Sequence, residues 1–277
     1  MEMILLAAGC YTITSLSDKY AASTAKLSGI EVTFLMAAAT SVFMTLLLPL
    51  LGIPFSPFSW QLLLAVLLIA ADKLLEFVLG TAVLKEMSAF ELKAWLGAVL
   101  FLSYFTDVFA YGGTFSPIGL LFIAVTAAGL FLIARSNRKN VRYRKIVLPL
   151  LFYLAAKYGY AIVMRYAGPY GDSTQILYFS LILLTAALFP MSHIVRLVRE
   201  KKKGVLVTAV TKLPNAVGLY AENAALAVSL TGFSMIQPLI LIALFLIGCI
   251  RGEYREKPGI AGAVISIFGI VGFQFLK

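Results

Sequence analysis

The stretch Ala71-Asp72-Lys73-Leu74-Leu75-Glu76 places three ionisable side chains inside a long apolar run. On a helix, Asp72 and Glu76 are four apart and share a face. Two carboxylates that close repel each other, which favours their sharing a proton and makes them a candidate coupling pair. The competing reading is a static pair neutralised by Lys73 and by Lys157 from another helix. Lys157 and Lys212 interrupt apolar runs in the same way, and Asp107 does so nearer one end of its run. Tyr153, Lys157, Tyr160 and Met164 recur at three- and four-residue spacing, along one helical face. An ammonium flanked by aromatic rings can grip a planar, carboxylate-bearing molecule by charge and stacking, although tyrosines on such a face also serve ordinary packing. Asn215 and Tyr220 are the polar groups nearest Lys212 along its run.

An ionisable group within a membrane span costs on the order of 2.5–3.5 kcal/mol, so each is a site hypothesis. The candidate substrate contacts are Lys73, Lys157, Lys212, Asn215, Tyr153, Tyr160 and Tyr220. The candidate groups for proton or ion coupling are Asp72, Glu76 and Asp107. Three ammoniums against Asp72 and Glu76 leave one positive charge over, which suits an anionic or zwitterionic substrate. With Asp107 as a third acid, the same residues would make an internal salt-bridge network. Lys212 has no carboxylate within one turn of its own helix, so its partner comes from another span or from a ligand. Glu31, Glu91 and Glu222 lie near the ends of apolar runs, where interfacial solvation accounts for them.

Other chemistries lack their residues. His193 is the only histidine, Cys10 and Cys249 lie in apolar runs, and no CxxC pair occurs, so a metal centre is not expected. No GxxxxGK[ST] loop is present, and no clustered nucleophile and base. Neither an enzyme nor a bound cofactor is expected.

The surrounding chain explains why these charges stand out. Of its 277 residues, 61% are hydrophobic and 13% charged, and the mean hydropathy is +0.95. Soluble domains carry about 25% charged residues, and this chain cannot cover a water-facing exterior. A soluble enzyme, a disordered chain and a disulfide scaffold are excluded. Nearly continuous apolar runs such as Leu239–Ile250 disfavour a membrane barrel, whose strands alternate, and favour helices. Ten spans fit, at roughly 20 residues each. They are Met3–Tyr20, Gly29–Leu51, Trp60–Leu84, Ser88–Gly112, Ser116–Ala134, Ile146–Ala167, Ser173–Leu197, Gly204–Ala225, Ser229–Ile250 and Pro258–Leu276. Trp60 reads as an interfacial anchor.

The net charge of +10 supports this division. Eighteen of the 23 Lys and Arg residues fall at odd-numbered loops and their flanks, the densest groups being 135–145 and 196–203. The even loops and the termini hold only Arg165 and Lys277. The positive-inside rule then puts the odd loops in the cytoplasm and both termini outside. Nucleic acid is not an expected partner; membrane lipids and a small-molecule substrate are, with the chain a monomer or homodimer.

The basic segment 135–145 separates two sets of five spans, residues 1–134 and 146–277. An odd number per set makes similar halves inverted relative to each other. Ala71-Asp72-Lys73-Leu74 matches Val210-Thr211-Lys212-Leu213, and Lys19-Tyr20-Ala21 matches Arg165-Tyr166-Ala167. Pro117 and Gly129 match Pro258 and Gly269. Inversion places Lys73 and Lys212 near the midplane about a common axis. Pro214 leaves the carbonyl of Val210 without its helical donor, and Pro238 does the same to Ser234, so spans 8 and 9 are expected to kink and line a cavity. Gly262, Ser266 and Gly269 form a small-residue stripe suited to close helix packing or a dimer face.

Pro238, then Gly252-Glu253, Gly262 and Phe268-Gly269 resemble the closing pattern of the EamA-like ten-span members of the drug/metabolite transporter superfamily. The first half departs from it: Gly97 stands where a proline is expected, and Tyr111-Gly112 replaces a Gly-Glu pair. The resemblance implies an all-α integral membrane protein, a basket of ten helices with a central cavity. It also implies a secondary transporter of a small organic metabolite, working by alternating access and coupled to protons or exchange. An exporter of cationic or aromatic compounds, or a flippase for a lipid-linked substrate, is the alternative.

Overall fold

The computed structural model describes residues 2–52, 55, 57, 59–110, 115–136, 143–228, 236–252 and 257–276. These are helical almost throughout, and no strand occurs among them. The helices are α1 (Glu2–Ser23), α2 (Gly29–Leu51), α3 (Trp60–Glu86), α4 (Ala89–Trp95), α5 (Gly97–Ala110), α6 (Pro117–Ser136) and α7 (Tyr143–Ala167). After them come α8 (Ser173–Leu188), α9 (Ile194–Glu200), α10 (Lys202–Val210), α11 (Lys212–Val228), α12 (Ile236–Ile250) and α13 (Lys257–Leu276). Among the described residues, four helical stretches are long and apolar enough to cross a membrane: Gly29–Leu50, Ala89–Thr106, Tyr143–Met164 and Ser173–Met191. Large apolar side chains also face outward, among them Leu50 (80% exposed) and Ile250 (86%). An exterior of that kind needs lipid rather than water against it, and the chain fits a helical membrane protein.

Local signals set several helix ends. Ser28 and Ser88 each cap a helix through a reciprocal box, the serine side chain accepting from the backbone N–H of Glu31 or Glu91 while that glutamate accepts from the serine N–H. The residues just before the caps, Leu27 and Met87, are buried, as are Val32 and Leu92 at the fourth helical positions, the pairing of a hydrophobic staple. Asp172 caps α8 by accepting from Thr174 and Gln175. Gly52 ends α2 in the left-handed region, at φ 63°.

Three stretches read as single spans from sequence are interrupted. Ser88–Gly112 is divided at Leu96 into α4 and α5, where Gly97 weakens helical continuity. Ser173–Leu197 ends as a regular helix at Leu188, because Pro190 stands in the 3-10 turn Phe189–Met191 and His193 then takes a left-handed φ of 44°. Gly204–Ala225 is broken at Thr211, four residues after Val207, whose carbonyl takes the Thr211 N–H. Pro214 supplies no N–H to Val210, which accounts for the interruption. Pro238 lies in the first turn of α12 as described; Ser234, together with Tyr111, Gly112 and Glu253, lies outside the described residues.

The chain forms two compact units. The first comprises Met1–Ser15, Glu86–Val147 and Val217–Lys277, and the second Leu16–Lys85 and Leu148–Ala216. Each draws on both sides of the basic segment 135–145. In the first, α6 and α13 pack antiparallel and most extensively. A Cβ on Gly262 would lie 2.8 Å from the carbonyl oxygen of Gly129, so the two backbones touch. The stripe of small residues in α13 is therefore occupied within the chain. Phe101, Tyr104, Phe122 and Phe273 pack together in the same unit. In the second unit, α2 lies along α8 and contacts α10, and the hydroxyl of Ser180 donates to Val66 of α3.

Candidate functional site

Within the second unit α3 and α7 run antiparallel, and the charges of both meet at their interface. Lys73 donates to Glu76, one turn on, at 2.7 Å. The other carboxylate oxygen of Glu76 pairs with Lys157 of α7. Lys73 and Glu76 are buried, and Lys157 is about three-quarters so. The Lys73 ammonium also lies 3.9 Å from the centre of the Tyr160 ring, a cation–π contact. Glu76 thus bridges two lysines, an arrangement a buried carboxylate needs if it is to remain ionised.

Asp72, on the same helix, differs. Its Oδ2 is buried and makes no hydrogen bond. Its Oδ1 faces Gly159, where a Cβ would stand 3.3 Å away, so glycine lets the α7 backbone come up to the carboxylate. The two carboxylates four apart on α3 are therefore unlike each other: Glu76 meets two ammoniums, and Asp72 keeps an oxygen without a hydrogen bond.

Lys212 opens α11 at the interruption of its span and is 1% exposed. It donates to Asp18 of α1 at 2.7 Å. Beside this pair, the hydroxyls of Ser17 and Thr211 are 2.6 Å apart. Lys19 reaches the carbonyl of Leu84 near the end of α3 at 2.6 Å. Tyr153 is buried against Gly80 of α3.

Asp72, Lys73, Glu76, Lys157, Tyr153 and Tyr160 are thus brought together, whereas Lys212 pairs with Asp18 elsewhere in the same unit. Asn215 is half-buried one turn from Lys212. Tyr220 belongs to the first unit and is exposed. Asp107 lies in α5, and its side chain, like that of Glu222, is outside the described residues. Lys212 takes its partner from another span, one of the two sources expected, with Asp18 carrying its counter-charge. The surplus of one positive charge is met by the same residue: Asp18, Asp72 and Glu76 match Lys73, Lys157 and Lys212 in number. Asp18 is inconspicuous in the sequence because hydropathy ends the first span at Tyr20, two residues on, whereas α1 continues to Ser23. Glu31 and Glu91 also do more than sit in solvent. Both close capping boxes, Glu91 is 2% exposed and accepts from Tyr143 at 3.1 Å, and Glu31 pairs with Lys201.

No protein-family model matches the chain, and no curated protein matches it. Among the described residues, no group of three or more His, Cys, Asp or Glu side chains is placed to hold a metal ion.

Proposed function

We propose that the chain is a ten-span, inverted-repeat secondary transporter that carries a small organic metabolite by alternating access, coupled to protons or to exchange. The observation that carries this reading is the buried network on α3 and α7, with Asp72 Oδ2 making no hydrogen bond beside it. Burying six ionisable groups in one unit is expensive, and in membrane helices such groups mark ion and substrate paths. Asp72 is the proton carrier in this scheme, because its oxygen is unsatisfied in the ionised form. Glu76, held by two lysines, is the fixed charge that positions Lys73 and Lys157.

The helix pairs support the repeat. If α4–α5 is one span and α10–α11 another, the most extensive contacts are spans 5 and 10 (α6 with α13) and spans 2 and 7 (α2 with α8), and spans 4 and 9 meet as well (α4 with α12). These three pairs are five spans apart, as expected where inverted halves pack about one axis, while α2 also meets α10 of span 8. A core with matched charges favours a zwitterionic substrate over a purely anionic one. A cationic substrate is the second reading, favoured by the open oxygen of Asp72.

Purified protein screened against a metabolite library by thermal shift should give a stabilising ligand. That ligand should then enter proteoliposomes at a rate set by an imposed pH gradient or by counter-substrate. Stabilising ligands with no flux under either condition would overturn the transporter reading.

A further inference from the structure

Within the second unit, the short helix α9 stands between two spans and continues neither as a regular helix. Pro190 and the left-handed φ of 44° at His193 separate it from α8. Two marks set its depth. The membrane-spanning stretch Ser173–Met191 stops just before it. Lys201, just after it, donates to the carbonyl of Lys26 and to Glu31, where the stretch Gly29–Leu50 starts. One stretch ends and another begins at the level of α9, so the helix lies at a membrane boundary.

Its surface is graded. At about 100° per residue, Leu197, Ile194, Val198 and Val195 follow one another around a single arc. Leu197 is buried, Ile194 half-buried, Val198 43% exposed and Val195 81% exposed. The arc begins against the protein and ends facing outward. Phe189 and Met191, at the end of the spanning stretch, are exposed too, so outward apolar side chains continue from the span into α9. Arg199 and Arg196 follow Val195 around the helix.

The cations sort by what they meet. Lys201 pairs with Glu31, and Arg196 with Glu200 at 2.9 Å. Arg199, Lys202 and Lys203 are exposed, and no carboxylate among the described residues pairs with them. Three unmatched charges beside an outward apolar arc fit a partner with an anionic head and a hydrocarbon body. A helix of this make-up lies in the headgroup plane, and basic residues at that level attract anionic lipids.

We propose that α9 and the start of α10 form a binding surface for anionic phospholipids. Acyl chains cover Val195 and Val198, and phosphate groups meet Arg199, Lys202 and Lys203. The surface requires the membrane-spanning reading of the chain and is independent of what the chain carries.

Val195→Cys, in a chain with Cys10→Ser and Cys249→Ser, takes a fluorophore, and the protein is reconstituted into vesicles of equal parts phosphatidylcholine and phosphatidylglycerol. One lipid or the other has acyl chains brominated near the headgroup, and bromine quenches only on contact. Near an anionic surface each basic residue is worth about a fivefold factor, so quenching at position 195 should report a preference for phosphatidylglycerol of at least that size. Arg199→Gln with Lys202→Gln and Lys203→Gln should bring the preference close to parity. Added salt should lower it without any substitution, which decides the matter if the triple variant does not fold. A preference that survives both would overturn the assignment to these residues. A label at Leu183, exposed on α8 within the spanning stretch, should be quenched by both lipids alike. Quenching at position 183 but not at 195 would overturn the proposal and leave the membrane reading standing, an acidic protein then being the occupant to seek. Equal quenching at position 195 by both lipids would overturn it too, since apolar burial alone would hold α9 at the surface. No quenching at either position would remove the membrane-spanning reading, and the lipid surface with it.

Discussion

Glu76 and Asp72 are one turn apart on α3, yet the structure gives them opposite prospects on substitution. Glu76→Gln removes the acceptor of two buried ammoniums, Lys73 and Lys157. Breaking a buried pair in this way costs about 3–5 kcal/mol, so the variant should lose a large part of its thermal stability in detergent. A melting temperature equal to that of the wild type would show that the network does not hold α3 to α7. Asp72→Asn breaks none of the ion pairs found among the described residues and should fold normally. It should abolish the pH dependence of transport while leaving equilibrium ligand binding measurable; an unchanged pH profile would make Asp72 a structural carboxylate. Most of this site could be read from the chain. An ionisable residue within an apolar run is conspicuous, and the three- and four-residue spacing of Asp72, Lys73, Glu76, Tyr153, Lys157 and Tyr160 fixes their faces. Asp18 was not legible, because its partner is 194 positions away in sequence and local hydropathy had assigned it to a span end.

Helix ends and crossings divide along similar lines. The boxes Ser28-Gly29-Ile30-Glu31 and Ser88-Ala89-Phe90-Glu91 are short, local signatures that fix the starts of α2 and α4. Ser88→Ala should cost about 1 kcal/mol and speed amide exchange in the first turn of α4; unchanged exchange there would mean that burial of Met87 and Phe90 alone holds that end. The α6–α13 crossing is a matter of backbone approach. Any side chain on Gly262 drives into the carbonyl of Gly129 and the backbone N–H of Ile133, 2.8 and 2.9 Å from where its Cβ would stand. Gly262→Val should therefore destabilise the first unit by about 1–3 kcal/mol, the usual range for overpacking, and a wild-type melting curve would contradict so close a crossing. The small-residue stripe was visible in the sequence, but its partner was not, since a stripe serves an internal helix and a second copy equally well. The interruption at Leu96 is hidden, because apolar composition continues through it, whereas Pro214 marks span 8 for the break found at Thr211.

At the scale of the molecule, the distribution of charge and the pairing of helices make separate demands on topology. Eighteen of the 23 basic residues fall at alternate loops, which on the positive-inside rule places those loops in the cytoplasm. Lys201, in one of these basic segments, donates both to the carbonyl of Lys26 and to Glu31 at the first loop, so two loops assigned to the same side by charge alone are joined in the second unit. An arrangement with an odd number of spans between residues 26 and 201 would put a membrane between these groups and forbid that contact. The pairs α6 with α13, α4 with α12 and α2 with α8 agree with the proposed ten-span arrangement, in which such helices stand five spans apart. On that proposal, cytoplasmic odd loops leave both termini outside. A protease-sensitive tag on either end should be cleaved in intact cells, and a tag inserted in the 135–145 segment should be protected until the membrane is permeabilised. Protected termini with an accessible 135–145 segment would mean that the charge distribution is reversed relative to the membrane. Termini on opposite sides would exclude an even number of spans, and with it the inverted halves that relate Lys73 to Lys212.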